Sequence, residues 1–341
     1  KYQGIEQVQR VRGLKFKPDF VWIKATDYAQ DHILFDSVRG MGKNWHTNNS
    51  NAEAYNNNSL TSFEDDGFSL GTSGEISYPD KNYIAWCWKA GGDPVVNTDG
   101  TVATMVSANK EAGFSIITYT GVGPGSSGNE ATVGHGLDEP PQFYIVKKRS
   151  GTALEATAYY TAVDGTLDYS TIDSTNTKSD SSNYHPNSKI INLGGSATNT
   201  TDEYIIYAWH SVEGYSKIGS YEANNEADGP FIYTGFKPAW VIIKSADSSS
   251  GQDYASWTIV DNKRSPSNFV SGNKMLFANR TAAEGKRGDG TSSSDFELLD
   301  FVSNGFKHRA GNYEANSTAP AVQTFIYMAF AERPSAFTNS E

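Results

Sequence analysis

The sequence predicts an all-β protein made of three tandem jelly-roll-like β-sandwich units, on three observations. Short runs of aromatic and β-branched residues recur along the chain, split by Gly, Asn and Pro, as in sandwiches and barrels. Apolar spacing supports no amphipathic helix longer than two turns. The chain also repeats itself. Leu14 to Lys24, Glu139 to Lys147 and Tyr233 to Lys244 each place proline before an aromatic and β-branched run that closes on lysine. Proline fixes φ and cannot donate to a ladder, so it belongs at a strand's first residue. The run after it suits a buried strand, and the lysine marks a return to solvent.

Further features repeat in the same order. Leu34 to Arg39 matches Ile259 to Arg264, Asn48 to Glu53 matches Asn279 to Glu284, and Asp66-Gly67-Phe68 matches Asn304-Gly305-Phe306. Each unit closes on an aromatic strand: Tyr83 to Trp88, Tyr204 to Trp209 and Phe325 to Phe330. The units are therefore 1–91, 95–212 and 213–334, followed by a tail over 335–341. The middle copy diverges between Lys148 and Thr201.

In the first unit, Ile5 to Val11 reads as a strand. The later units open on two strands at this point, which places another strand upstream of Lys1. The core strand Phe20 to Lys24 follows, then His32 to Val38 with Ile33-Leu34-Phe35 as its apolar centre. Asn44 to Ser59 is Asn-rich and reads as a long polar loop. Phe63 to Phe68 is a strand end and turn, with Asp66-Gly67 as the hairpin signal. Gly91-Gly92-Asp93-Pro94 is the first boundary. The second unit opens with a hairpin of Val102 to Val106 and Phe114 to Thr120, and Thr120 to Asn129 is a Gly- and Ser-rich loop. Asp164 to Lys189 is almost entirely polar, a long loop or weak edge strands. The third unit opens with a hairpin of Tyr215 to Tyr221 and Phe231 to Tyr233. Asp247 to Asp253 and Ala283 to Ser294 are loops, and Arg333-Pro334-Ser335 leads out of the unit.

Composition narrows the function classes. The 341 residues suit two or three domains, and the repeat selects three. Aromatics at 13% against an apolar share of 37% suit thin sandwiches with large core side chains rather than disorder. A net charge of −11 without a basic cluster argues against nucleic-acid binding. No apolar run approaches the ~18–20 residues of a membrane span, and no signal-peptide pattern is present. The first residue is Lys1, not methionine, so a processed product or a piece of a longer chain is expected. Cys87 is the sole cysteine, which rules out an internal disulfide and a cysteine-rich zinc site. Flanked by Trp86 and Trp88, it reads as a buried, inert thiol. A chain without disulfides fits synthesis in a reducing cytosol.

Glu213 to Tyr221 and Asp228 to Pro238 resemble a repeat found in tail fibre and other virion proteins of marine tailed phages, cyanophages among them. Val133 to Leu137, Phe35 to Gly40 and Ala85 to Lys89 are similar to companion motifs of that family. The resemblance covers nearly the whole chain but fails over Leu154 to Lys189. It implies a virion protein made in the host cytoplasm and exposed on the particle, with a structural or adhesive role. The partners it implies are other virion proteins, a host surface glycan, and further copies in a homo-trimer. It implies no catalytic residue and no cofactor.

Candidate sites are sparse. Asp36 with Arg39, and Asp261 with Arg264, read either as an anion or sugar clamp or as an ion pair at a strand end. Repetition favours the ion pair, because a fold element repeats more readily than a site. Asn48 with Glu53 and Asn279 with Glu284 read as turn chemistry before calcium ligation, since they lack alternating carboxylates. His32, His46, His135, His185, His210 and His308 show no metal-ligand spacing, and no nucleophile elbow is present. Gly121 to Gly125 and Gly134-His135-Gly136 lack the helix and lysine of a phosphate loop. Asn44, Trp45, Asn48 and Asn49 are the carbohydrate-binding candidates: an exposed indole stacks on a sugar ring while the amides bond its hydroxyls. The competing reading has Trp45 covering the sandwich edge. Tyr159-Tyr160 and Tyr184-His185 are a second pair of aromatic candidates. The expected function is a non-enzymatic segment of a tail fibre, spike or capsid appendage that displays loops for host attachment. A carbohydrate-binding adhesin module of a cell-surface protein is the alternative, and a polysaccharide-degrading enzyme a third.

Overall fold

The aromatic runs with proline at their head become the central strands of large sheets. The computed structural model describes residues 1–123, 131–151, 155–194, 198–247, 255–265, 274–285, 298–309, 315–316 and 322–333. The first stretch forms β1 (Tyr2–Gln3), β2 (Gln9–Arg12), β3 (Phe20–Ala25), β4 (Ile33–Asp36), β5 (Lys43–His46), β6 (Ala54–Tyr55), β7 (Leu60–Glu64), β8 (Gly67–Leu70) and β9 (Asn82–Trp88). The second forms β10 (Val95–Asn97), β11 (Thr104–Asn109), β12 (Phe114–Thr120), β13 (Ala131–Gly134), β14 (Phe143–Lys148), β15 (Thr157–Tyr160), β16 (Asp168–Thr171), β17 (Ser179–Asp180), β18 (Ile190–Leu193) and β19 (Glu203–Trp209). The third forms β20 (Ser216–Glu222), β21 (Phe231–Tyr233), β22 (Pro238–Ser245), β23 (Thr258–Asp261), β24 (Leu276–Phe277), β25 (Leu299–Val302), β26 (Gly305–His308) and β27 (Thr324–Ala331). A one-turn helix, Gly74–Ser77, precedes β9. Among the described residues no helix is long and apolar enough to cross a membrane.

One strand plan occurs three times. The first stretch orders its large sheet β1-β9-β3-β4-β5-β6 against a small sheet β2-β8-β7. The third has β20-β27-β22-β23-β24 against β21-β26-β25. The second has β12-β19-β14-β15-β16-β17, extended at one edge by β11 and β10, against β13-β18. The small sheets need glycine where their strands meet. A side chain at Gly67, which has φ +152°, would come within 1.9 Å of the Val11 carbonyl oxygen; one at Gly305 would come within 2.0 Å of that of Ile232.

Each central strand is buried on both faces, so it reads as a continuous apolar run rather than an alternation. In β3, Val21 and Ile23 face the small sheet, while Phe20 and Trp22 face away from it. Tyr144 and Val146 of β14, and Val241 and Ile243 of β22, repeat the inward pair. Phe143, Ile145, Trp240 and Ile242 repeat the outward one. The outward faces of all three large sheets meet in one shared core. Phe20 meets Tyr207 at 4.6 Å between ring centroids, Trp88 meets Trp240 at 5.5 Å, and Phe143 meets Trp257 at 6.0 Å. Those are one aromatic contact at each of three junctions. A void of only about 10 Å³ lies between Phe20, Phe143, Trp240 and their neighbours, so the centre is packed.

Backbone bonds close the same ring. Glu53 N donates to Arg149 O at 3.2 Å, Lys178 N to Ala246 O at 2.8 Å, and Glu284 N to Thr26 O at 2.8 Å. First unit bonds to second, second to third and third to first, always from one repeat position to another. This is a heterologous contact that closes after three steps, here within a single chain.

Several expectations need correction. The lysines that end the proline-led runs do not return to solvent: Lys24, Lys147 and Lys244 are all buried, because the neighbouring unit covers the strand end. Lys24 Nζ donates to Ala25 O and, across the junction, to Thr281 O at 3.1 Å. Lys244 Nζ donates to Ser245 O and, across the next junction, to Asn176 O at 2.8 Å. The Asn-rich stretch from Asn44 is not all loop, since β5 and β6 extend the large sheet there. In the expected strand Ile5 to Val11, Ile5 and Val8 are exposed and only the Gln9–Arg12 end pairs. The polar stretch Asp164 to Lys189, expected as a long loop or weak edge strands, needs no such correction: it holds β16 and β17 at a sheet edge. The loops expected over 120–129, 247–253 and 283–294 lie partly outside the described residues, and the 335–341 tail wholly so.

Candidate functional site

Among the described residues, three junction clusters hold much of the buried polar chemistry, and an open groove lies at one end. At the first junction β4 ends on Asp36, and the following turn folds Arg39 back onto it. Both side chains are fully buried. Asp36 accepts from the Arg39 backbone N at 2.8 Å and from its guanidinium, which also donates to Leu34 O at 3.1 Å and to Glu53 at 3.0 Å. Tyr207 from the second unit donates to Asp36 at 2.7 Å, and Trp45 Nε1 donates to the Tyr207 hydroxyl at 3.2 Å. Glu53 also takes Arg149 of the second unit, at 2.9 and 3.1 Å. Burial alone would lower the Arg39 pKa, but Asp36, Tyr207 and Glu53 raise it above its ordinary value.

The third unit rebuilds the arrangement. Arg264 bonds Asp261 at 2.6 Å and Ile259 O at 3.1 Å, and Trp86 Nε1 of the first unit donates to Asp261 at 3.3 Å. These arginines satisfy strand-end carbonyls and carboxylates, and no anion clamp opens to solvent. In the second unit the position of Asp36 and Asp261 is taken by Tyr160, whose hydroxyl pairs with Ser170 at 3.2 Å. The position of Glu53 and Glu284 is taken by Lys178, which bonds Asp164, Asp168 and Asp180 at 2.7, 2.8 and 2.9 Å. Among the described residues those three aspartates are the one group spaced to hold a metal ion. The Lys178 ammonium already stands among them and offsets one of the three carboxylate charges. Burial works against the Lys178 charge, and the three carboxylates hold it protonated above the usual lysine range.

The carbohydrate-binding candidates do not form a platform. Asn44 and Trp45 are 2% and 1% exposed. The Trp45 indole stacks on Tyr207 at 6.2 Å, and the Lys147 ammonium lies 5.7 Å from its ring centroid. A sugar ring cannot reach it, because the second unit occupies its face. The Asn48 side chain accepts from His32 N at 2.8 Å and donates to Asp31 at 2.5 Å, while Asn49 accepts from Asn51 N at 3.1 Å. Asn279 repeats the Asn48 bond, to Trp257 N at 3.1 Å, which is turn chemistry. Tyr159 and Tyr160 are buried, whereas Tyr184 is 70% exposed beside exposed His185. His32 is buried and accepts from Trp22 Nε1 at 3.0 Å; burial, then Lys24 and Arg264, lowers its pKa. Burial likewise lowers His308 to about 3.

The groove is an open cavity of about 600 Å³ where the three units meet at one end. One edge of β9, from Ile84 to Trp88, forms its floor. Leu14, Phe16, Trp240 and Phe330 also line it. Cys87 lies in it, and burial pushes its thiol up to about 12, so it is not a poised nucleophile.

Sequence reading missed Tyr207 and the three buried lysines. The lysines had a signal: they recur at one offset, at the end of strands otherwise wholly apolar. A family model described as a domain of unknown function (DUF7483) matches residues 1–334. No curated protein and no solved structure matches the chain.

Proposed function

We propose that this chain, which belongs to the DUF7483 family, is a non-enzymatic structural protein of a phage virion, a segment of a tail fibre, spike or capsid appendage. The observation that carries the reading is the shared aromatic core. It makes three sandwiches one rigid block, which suits bearing load and holding loops at fixed positions. We take each sandwich as jelly-roll-like: leaving aside the added β10 and β11 of the second unit, its first and last strands are neighbours in one sheet, and its second and penultimate strands in the other. The buried charges are taken up by ion pairs and carbonyl contacts within and between units, and the net charge of −11 suits a surface that avoids the packaged genome. The proposed partners are other virion proteins, a host surface glycan and, from the resemblance, further copies in a trimer. Immunogold electron microscopy of intact phage particles with an antibody to this chain tests the reading. Label on a fibre or over the capsid is expected, and particles without label overturn it.

A second reading is a glycan-binding adhesin module. Its support is Tyr184, whose exposed ring and neighbouring His185 offer a stacking face that Trp45 does not. On a glycan array, sugar-displaceable binding that Tyr184→Ala abolishes would favour it. An array without hits would remove it.

A further inference from the structure

We propose that a cleft of the second unit binds a short neutral oligosaccharide. The cleft measures about 560 Å³, within the range of small-ligand sites. Strands β10 and β11 make it. They extend the large sheet beyond β12, whereas the large sheet of the third unit ends at β20. Their inward face lines the cleft together with residues 136–138, just past β13, and residues 188–189, just before β18. Directly opposite residues of a strand pair share a face, and here Val95 stands opposite Val106 and Asn97 opposite Thr104. Val106 and Thr104 are buried, yet Val95 is 65% exposed. The added strands thus bring an apolar side chain to the cleft and leave it uncovered.

The walls are fixed without a ligand. A side chain at Gly136, where φ is +72°, would come within 2.9 Å of Val106 Cγ1, so glycine lets this loop close onto β11. The Leu137 N donates to His135 Nδ1 at 3.1 Å. The His135 proton therefore sits on Nε2, which donates to Asn187 O at 2.9 Å. One buried ring ties together the two loop segments that line the cleft, which gives the Gly134-His135-Gly136 run a role unrelated to phosphate. A pre-formed wall spares a ligand the cost of ordering it.

The polar groups state the ligand's chemistry. Asp93, Asp99, Asp138, Lys110 and Lys189 bring both signs of charge to one cleft. Lys110 bonds Asp138 at 2.7 Å. Among the described residues the Asp93 carboxylate and the Lys189 ammonium have no partner. A carboxylate only accepts and an ammonium only donates, while a hydroxyl does both, so a polyhydroxyl ligand can satisfy each of them. An anion would meet three carboxylates and a cation two ammonium groups, which selects a neutral molecule. Val95, Val106 and Leu137 offer aliphatic surface to the C–H face of a sugar, and among the described residues no aromatic ring lines the cleft to stack on a planar base. The assignment rests on the glycan partner proposed above and gives it a place in the second unit.

An array of neutral, sialylated and sulfated oligosaccharides tests it, read with the intact chain, an Asp93→Ala/Lys189→Ala variant, Val95→Arg and Tyr184→Ala. All four replaced side chains are exposed, and circular dichroism checks that each variant folds. Neutral sugars should bind the intact chain, and both cleft variants should bind them at least tenfold more weakly. Loss in Tyr184→Ala as well would make Tyr184 part of the same site. Binding that survives both cleft variants overturns the cleft alone and leaves the glycan reading standing. Stronger binding of sialylated or sulfated sugars overturns the neutral class. A blank array overturns the cleft and the glycan reading together.

Discussion

Removing the Trp45 side chain takes out a ring that stacks on Tyr207, donates to its hydroxyl and lies beneath the Lys147 ammonium. Trp45→Ala should cost about 3–5 kcal/mol, as for other large core truncations, measured as a lower urea midpoint; a loss under about 1 kcal/mol would mean the junction does not close on it. The buried lysines give a second residue-scale prediction. Burial, followed by Arg264, lowers Lys24 to about 7, and burial lowers Lys244 to about 7 and Lys147 to about 8. The unfolded chain keeps its lysines protonated to about pH 10.4. Between these limits the unfolded state binds more protons, so stability rises with pH across the window and is lowest below pH 7. Denaturation at pH 7 and pH 9.5 should show that rise, and Lys24→Met should flatten it. Parallel slopes for the two proteins would mean that the amine stays charged on its two carbonyls. At this scale the sequence was half legible. Asp36 with Arg39 could be read as an ion pair because it repeats. Trp45 looked exposed because its chain neighbours are polar, while what buries it is a unit more than a hundred residues away.

The small sheets depend on backbone approach that only glycine permits. Gly67→Ala sets a methyl against the Val11 carbonyl, and Gly305→Ala against that of Ile232. Each should destabilise by more than the roughly 1 kcal/mol that a glycine exchange costs elsewhere, because a strand must move. Two-state urea titrations of both variants check this, and wild-type midpoints would show the edge strands to be free to shift. The second unit has Ile190 at this position and Gly134 opposite it, so it keeps one small residue in the pair but on the other strand. Such compensation explains which elements could be read. Core strands announced themselves because both faces are apolar. The edge strands β6 and β10 did not, and β17 stayed open between loop and edge strand, since their residues face water and only a neighbouring ladder makes them strands. The proline that heads β22 is such a ladder effect too: it sits where the register against β27 shifts.

Three sandwiches that each buried only their own core would unfold as separate domains. Here the outward faces of the large sheets have no solvent side: Trp22, Phe143 and Trp240 belong to one cluster with residues of all three units. Excising any unit exposes a large aromatic face on each of its partners, so no unit is expected to be stable without the others. Scanning calorimetry should therefore give one transition, with calorimetric and van't Hoff enthalpies equal. Trp240→Ala, although it lies in the third unit, should lower the whole transition rather than split off a third of it. Separate transitions, or a Trp240→Ala scan in which part of the endotherm stays at the wild-type temperature, would mean that the junctions are weak docking contacts. The matching strand runs of the repeat were legible from the sequence. The ring was not, because an apolar strand face says that something covers it and leaves the covering partner unspecified. A single cooperative transition would also fix the mechanical character that the proposed virion role requires: force on one loop would be resisted by the shared core, since no unit can open without uncovering the other two.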